Sequence, residues 1–542
     1  MEDFIFGTMA TDALKLIHHR AERRGIQHLH STAPRDPLPG EPLTLSVILG
    51  PDLPADHIAC YYTLDGSEPR GAFGTAEQGQ VIHFQRAAVA WDNLVWGYVQ
   101  TWQAVIPGQP QGTTVRYRIG AWQEGGEVET FADWPPVKPQ VEEAARAHFA
   151  GDAAQPIDPG SPAGQTFALH VDTQRPPAWA REAVIYQVFV DRFYPGDGRD
   201  WLQTADLRRF FGGTLWGVRD KLDHIAALGA DCLWLSPTWP SPTYHGYDVT
   251  DYRAVEPRLG GEEGLRALIE AAHARGIRVL LDLVCNHMSN RHPIFLEAQA
   301  DPASPYRGWF TFTETPPGYE CYFGVASMPR INLAHPAARA WMIDNALYWL
   351  REFNVDGFRL DHANGPGPDF WADFRAVVRI ASPDAFSFGE VVEPPDVQAR
   401  YIGRLDGLLD FHMADMLRRA FGRRSISRAD LERFTARHQA YFDNPDFLMV
   451  NFLDNHDMDR FLHIAGGDRT ALEEALGFLM ALPGPPVIYA GTEVGLRQRD
   501  RGRVSGLEGS REAMPWGQID TGALAIVRAA IRRRREQRPW IG

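Results

Sequence analysis

The sequence predicts an α/β protein: a (β/α)8 TIM barrel with a small insertion after strand 3, preceded by an N-terminal β-sandwich. Three observations carry that expectation. From about residue 180 onward, short apolar runs alternate with amphipathic helical stretches, the pattern of a parallel sheet covered by helices. Eight such units count out a closed barrel. Before residue 175 the texture differs, with short alternating strands, turn signals and no helix between them.

The elements follow in order. Residues 1 to about 30 read as helical and rich in His and Arg. Residues 43–49, 60–64 and 114–119 alternate apolar and polar as half-buried strands do, and Asp65-Gly66 and Gly125-Gly126 punctuate them. Residues 152–177 are rich in Pro, Gly and Ala and read as a linker. Barrel strands are then expected at 184–190, 231–235, 278–284, 357–360, 385–389, 405–411, 448–453 and 487–490. Helices are expected at 220–228, 262–275, 336–353, 369–380, 428–442, 472–481 and 524–536. The stretch 287–335 is too long for a simple loop and reads as an inserted subdomain. The predicted division is therefore 1–175 for the helix, sandwich and linker, 176–287 with 336–542 for the barrel, and 288–335 for the insertion. No third β-rich domain is read after the last helix. Trp91, Trp96, Trp102, Trp122 and Trp134 leave a carbohydrate-binding face on the sandwich open, with core packing as the plainer account.

Composition narrows the partners. The chain has 542 residues, 44% apolar and 23% charged, and a net charge of -15. That charge disfavours nucleic acid and anionic membranes, and no apolar run is long enough to span a bilayer. The N-terminus, Met1-Glu2-Asp3-Phe4-Ile5-Phe6, is acidic where a secretory leader would be basic. Cys60, Cys232, Cys285 and Cys321 have neither metal-like nor disulfide-framework spacing. A cytoplasmic location is expected.

Four apolar runs end in polar groups. They are Asp282-Leu283-Val284-Cys285-Asn286-His287, Gly357-Phe358-Arg359-Leu360-Asp361-His362, Phe388-Gly389-Glu390-Val391 and Phe452-Leu453-Asp454-Asn455-His456-Asp457. Polar groups at the C-terminal ends of barrel strands face a common mouth. Three strands would thus bring Asp361, Glu390 and Asp457 together, with Arg359, His287 and His456 beside them. Paired carboxylates are the equipment for cutting a glycosidic bond: one protonates the leaving oxygen, the other attacks the anomeric carbon or activates water. Arg359 and Asp361 lie two residues apart, on one face of their strand. Arg359 is therefore expected to keep Asp361 ionised. A desolvated Glu390 among other carboxylates is expected to hold its proton.

These segments resemble the signature regions of the α-amylase family, glycoside hydrolase family 13, over about residues 180–540. Tyr186 to Phe193, His245-Gly246-Tyr247-Asp248, Tyr489 to Gly495 and Met514-Pro515-Trp516 resemble further family segments. The resemblance implies a retaining mechanism, with Asp361 as nucleophile, Glu390 as general acid/base and Asp457 as transition-state stabiliser. It implies that Arg359, His287 and His456 support the −1 sugar, that Tyr247 is the platform beneath it, and that Asp248 holds its far hydroxyls. Met328-Pro329-Arg330-Ile331-Asn332 resembles a segment typical of the neopullulanase, cyclomaltodextrinase and maltogenic amylase subgroup. Members of that subgroup act on maltodextrins, cyclodextrins and pullulan. An oligosaccharide or α-glucan substrate, cleaved at α-1,4 or also α-1,6 bonds, and a homodimer are implied in the same way.

The departures are specific. His362 and Gly365 stand where the subgroup has Val and Glu. Val392 replaces an aromatic after the acid/base, and Thr214 replaces the Asp of a Gly-Gly-Asp that often ligates calcium. Asn286 matches another calcium ligand of the family. No cofactor is required by the chemistry, and Ca2+ remains an option. Competing expectations are a 4-α-glucanotransferase or an exo-α-glucosidase acting on trehalose or isomaltose, both on the same barrel, and a non-catalytic glucan-binding protein.

Overall fold

The computed structural model describes residues 11–158, 160–498 and 508–537. The first ten residues of the expected N-terminal helix lie outside that set. The chain divides into two units: residues 1–174 with 367–376 and 392–404, and residues 175–366 with 377–391 and 405–542.

The first unit is built on two five-stranded antiparallel sheets. In one, Ile26–Gln27, Leu43–Leu49, Gly97–Ile106 and Gln85–Asp92 are neighbours in that order, and Thr32–Ala33 also pairs with Leu43–Leu49. In the other, the order is Thr130–Phe131, Thr113–Trp122, His57–Thr63 and Gln80–His83, and Phe167–Val171 also pairs with Thr113–Trp122. Period-two alternation explains the burial. Leu43, Leu45, Val47 and Leu49 are buried while Thr44, Ser46 and Ile48 between them are half-buried. Their buried faces meet Ile58, Cys60, Tyr62, Val115, Tyr117 and Ile119 in one core.

Two expectations are corrected here. Phe167–Val171, assigned to a linker, is a fully buried strand, because five apolar-rich residues outweigh the Pro and Gly before them. The expected helix-free sandwich contains Val137–Ala150, which begins after Pro136 and ends at Gly151, whose φ of 75° suits a left-handed cap. Its apolar positions Val137, Val141, Ala144 and Ala145 follow helical spacing. Of the tryptophans, Trp122 is buried and Trp102 packs against the core, while Trp91 and Trp96 are exposed.

The second unit is a closed parallel barrel of Ile185–Val188, Cys232–Leu235, Arg278–Val284, Gly357–Asp361, Phe386–Gly389, Gly407–Leu409, Leu448–Phe452 and Pro486–Tyr489. Almost every residue of these strands is buried, as parallel strands covered by helices require. The helices bury one stripe. In Gly261–His273, Leu265, Leu268, Ile269 and Ala272 are buried, at i, i+3, i+4 and i+7. Glu262 and Glu263 in the first turn and His273 in the last complement the helix dipole. The insertion carries one helix, Pro293–Ala300, and short single turns. No helix among the described residues is long and apolar enough to cross a membrane.

Candidate active site

Strand register assembles the site. Asp282 lies opposite Arg359 and Val284 opposite Asp361 across the third and fourth barrel strands, and Leu360 lies opposite Gly389 on the fifth. Arg359 Nη1 donates to both Asp282 oxygens, at 2.8 and 3.0 Å, and to Asp361 Oδ1 at 2.9 Å. Arg359 Nη2 lies 2.8 Å from Glu390 Oε2, and the His362 backbone N–H donates to the same oxygen at 3.0 Å. One buried guanidinium thus joins three carboxylates. The seventh strand adds His456 and Asp457, 3.1 Å apart. Asp361, Glu390, Asp457, Arg359 and His456 are therefore brought into one connected group.

Sequence reasoning missed Arg511. Its Nη2 donates to Asp457 Oδ1 at 2.7 Å, its Nη1 to the Tyr244 hydroxyl at 3.1 Å and its Nε to the His456 carbonyl at 2.8 Å. Its only signal in the chain is its place just before Met514-Pro515-Trp516. Gln187 and Trp234 were also missed. Gln187 Nε2 donates to His456 Nδ1 at 2.7 Å, and Trp234 Nε1 donates to Asp282 Oδ2 at 3.0 Å.

Burial sets the protonation states. It pushes His456 down to about 3, so the ring is neutral near pH 7. With Nδ1 accepting from Gln187, Nε2 carries the proton and donates to the Tyr247 hydroxyl at 2.6 Å. Tyr247 then donates to Asp282 Oδ2 at 3.1 Å. Its ring and that of His456 are within 5° of parallel, 5.7 Å apart. His287 is likewise pushed down to about 3 by burial. It lies against the Tyr322 ring at 4.7 Å and 29°. Residues 286–288 are braced by the Met328–Asn332 segment: Ile331 N–H donates to the Asn286 carbonyl at 2.9 Å, and Met288 N–H to that of Pro329 at 3.2 Å.

One expectation changes. Asp361 was expected to sit low beside Arg359. Burial instead holds it well above its ordinary value, because Arg359 is shared and Glu390, Asp282 and Asp457 all repel its charge. Glu390 is raised as well, first by burial and then by Asp457. Asp457 is lowered. Burial works against that charge, and His456, Arg511 and Arg359 outweigh it; since His456 is itself neutral, the weight falls on the two guanidinium groups, of which Arg511 is the one in contact. Asp248 lies in the loop that carries Tyr247. It is only 1% exposed, its Oδ1 accepts from the Ser241 and Thr243 hydroxyls inside its own loop, and its Oδ2 is buried. Oδ1 thus braces the loop that carries Tyr247, and Oδ2 is left without a hydrogen-bond partner among the described residues.

Thr214, in place of a calcium-ligating Asp, and Asn286, at the position of another calcium ligand, make these contacts. The Thr214 hydroxyl is committed, donating to the Pro195 carbonyl at 2.6 Å and accepting from Gly217 N at 3.1 Å as the cap of Leu215–Asp220. Asn286 Nδ2 lies 3.1 Å from His287 Nδ1. Among the described residues no three His, Cys, Asp or Glu side chains are grouped to hold a metal. Gly365 packs against Asn286: a Cβ there would lie 1.9 Å from Asn286 Oδ1, so a larger residue would require the Asn286 side chain to shift.

Comparison with known proteins agrees with this geometry. Residues 187–523 match the alpha-amylase family, described as alpha amylase, catalytic domain. The chain is 39% identical over 351 residues to alpha-amylase 2 of Dictyoglomus thermophilum, covering 64% of this chain and 62% of that protein. It is 34% identical over 391 residues to a cyclomaltodextrinase of a Bacillus species, covering 68% of each. A solved cyclomaltodextrinase structure superposes with a TM-score of 0.62 at 26% identity, covering 94% of this chain and 84% of that one. The match to the Dictyoglomus relative spans less than two thirds of its length.

Proposed function

The chain belongs to the alpha-amylase catalytic family, and from that premise we propose that it is a retaining α-glucan hydrolase of the cyclomaltodextrinase and neopullulanase kind. The observation that carries the reading is the bridge from Arg359 to Asp361 and Glu390. Four carboxylates (Asp282, Asp361, Glu390 and Asp457) face two guanidinium groups, those of Arg359 and Arg511. Such a site favours keeping a proton, and general acid catalysis needs one.

Glu390 delivers that proton to the glycosidic oxygen as the bond to the anomeric carbon breaks. Asp361, ionised once Glu390 holds the proton, attacks the anomeric carbon and forms a glycosyl ester. Water then enters, Glu390 now takes its proton, and the ester is cleaved with the anomeric configuration retained. Asp457, held ionised by Arg511, stabilises the positive charge that develops on the sugar. Tyr247 forms the platform under that sugar, neutral His287 offers its Nε2 to one of its hydroxyls, and His456 holds Tyr247 in place. No step passes through a metal ion. Substrates are maltodextrins, cyclodextrins or pullulan. Three buried thiols, Cys60, Cys232 and Cys285, fit a reducing cytoplasm.

The test is a product profile on maltotriose, β-cyclodextrin, pullulan, isomaltose and trehalose, beside Glu390→Gln. Maltose or panose from cyclodextrin or pullulan is expected, with about 10²- to 10⁴-fold less turnover in the variant and oligosaccharide binding kept. Redistributed chain lengths would identify a transferase instead, and cleavage of trehalose or isomaltose alone an exo-glucosidase.

A further inference from the structure

We infer that Phe323 and His362 wall the subsite that receives the leaving-group sugar, and that the same wall selects sugar over water in the second step. This rests on the hydrolase reading above. Phe323 lies in the inserted segment, in the single turn Tyr322–Gly324. The residue is 72% exposed. Its backbone is left-handed, at φ 45° and ψ 36°, a conformation that costs a non-glycine residue on the order of 1 kcal/mol and persists only where its surroundings impose it. A large apolar ring held in water on a strained backbone calls for a binding partner.

Its neighbours say where that partner sits. The Phe323 ring meets His362 at 5.4 Å and 69°, and Tyr322 at 4.7 Å and 73°. Both contacts are edge-on. Tyr322 also meets His362 edge-on, at 4.9 Å and 83°, and lies over His287. A continuous run of rings therefore leads from His287 to the exposed Phe323. His362 has a left-handed backbone too, at φ 40°, and its N–H holds Glu390. Glu390 protonates the oxygen shared with the leaving sugar, so groups ranged along its His362 side face that sugar. The flat C–H face of a pyranose suits an exposed aromatic ring. Gly365 leaves no side chain beside the His362 ring.

α-Maltosyl fluoride separates the subsite from the chemistry, because its leaving group is fluoride and needs no sugar pocket. In Phe323→Ala, kcat/KM for maltotetraose should fall about fivefold to tenfold, and transfer to added glucose should fall with it. Turnover of α-maltosyl fluoride should stay within about twofold, and Phe323→Trp should restore maltotetraose cleavage. Equal losses on both substrates, or no loss on maltotetraose, would overturn the assignment. A wild-type protein inert toward α-maltosyl fluoride would instead overturn the hydrolase reading, and the subsite with it.

Discussion

Asp457 keeps its charge in a buried site because Arg511 reaches it at 2.7 Å. Arg511→Met removes the only cation in direct contact with that carboxylate among the described residues. Asp457 should then rise toward the range of its buried neighbours, leaving it protonated through more of the working pH range. On maltotriose we expect kcat to fall on the order of 10²-fold with KM changed far less, since the lost interaction acts on developing charge. The acid limb of the rate profile should move to higher pH, and Arg511→Lys should recover part of both effects. Steady-state kinetics across pH checks this. An unchanged acid limb would mean that Arg511 only packs the loop. The contrast with Arg359 shows what sequence reading can reach. Arg359 and Asp361 are two residues apart on a strand, so their meeting is local geometry. Arg511 lies 54 residues beyond its partner and on no strand, and only the closed barrel joins them. The Ser241 and Thr243 partners of Asp248, by contrast, come from the turn of its own loop.

Asp282 and Arg359 face each other because the third and fourth strands pair in that register, so strand pairing fixes the site's charge balance. Glu390 is raised above its ordinary value, so it stays protonated to higher pH than a surface glutamate. Activity should be lost on the alkaline side as Glu390 gives up its proton, and on the acid side as Asp361 takes one. A bell-shaped kcat/KM follows, whose limbs belong to the coupled pair. Asp282→Asn keeps the hydrogen-bonding shape but removes one repelling charge and leaves more of Arg359 for Asp361 and Glu390. Both limbs should therefore move to lower pH, read from kcat/KM profiles of the two proteins; an alkaline limb that stayed in place would argue against electrostatic control by Asp282. At this scale the strands were the most legible part of the chain. Arg278–Val284 falls on its expected residues, because an apolar run ended by polar groups has one comfortable place in a barrel. Val137–Ala150 and Phe167–Val171 were hidden by the Pro, Gly and Ala around them, a composition shared by linkers and by element ends.

Across the whole chain, buried neutral histidines recur in both units: His28 in the first, and His245, His287 and His456 in the second, each pushed down to about 3 by burial. His28 is the cleanest probe, since it lies outside the site. It sits in the sandwich against Phe167 at 4.7 Å, with Nδ1 donating to the Ser46 carbonyl at 2.7 Å and Nε2 accepting from the Tyr117 hydroxyl at 2.9 Å. Its folded value of about 3 lies below the ordinary 6.5. The unfolded chain therefore takes a proton between those limits that the folded chain refuses. The contribution of His28 is complete above pH 6.5 and drains away as pH falls toward 3, at roughly 1.4 kcal/mol per pH unit. In His28→Gln that share of the slope is gone. The stability difference between wild type and variant should then be constant above about pH 7 and shrink by roughly 1.4 kcal/mol per pH unit between pH 6 and 4. Calorimetry at several pH values measures it. If the two units unfold in separate transitions, only the one containing the sandwich should change its pH dependence. A difference that did not vary with pH would mean that His28 takes up a proton as readily in the folded chain as in the unfolded one, and that burial does not hold it neutral.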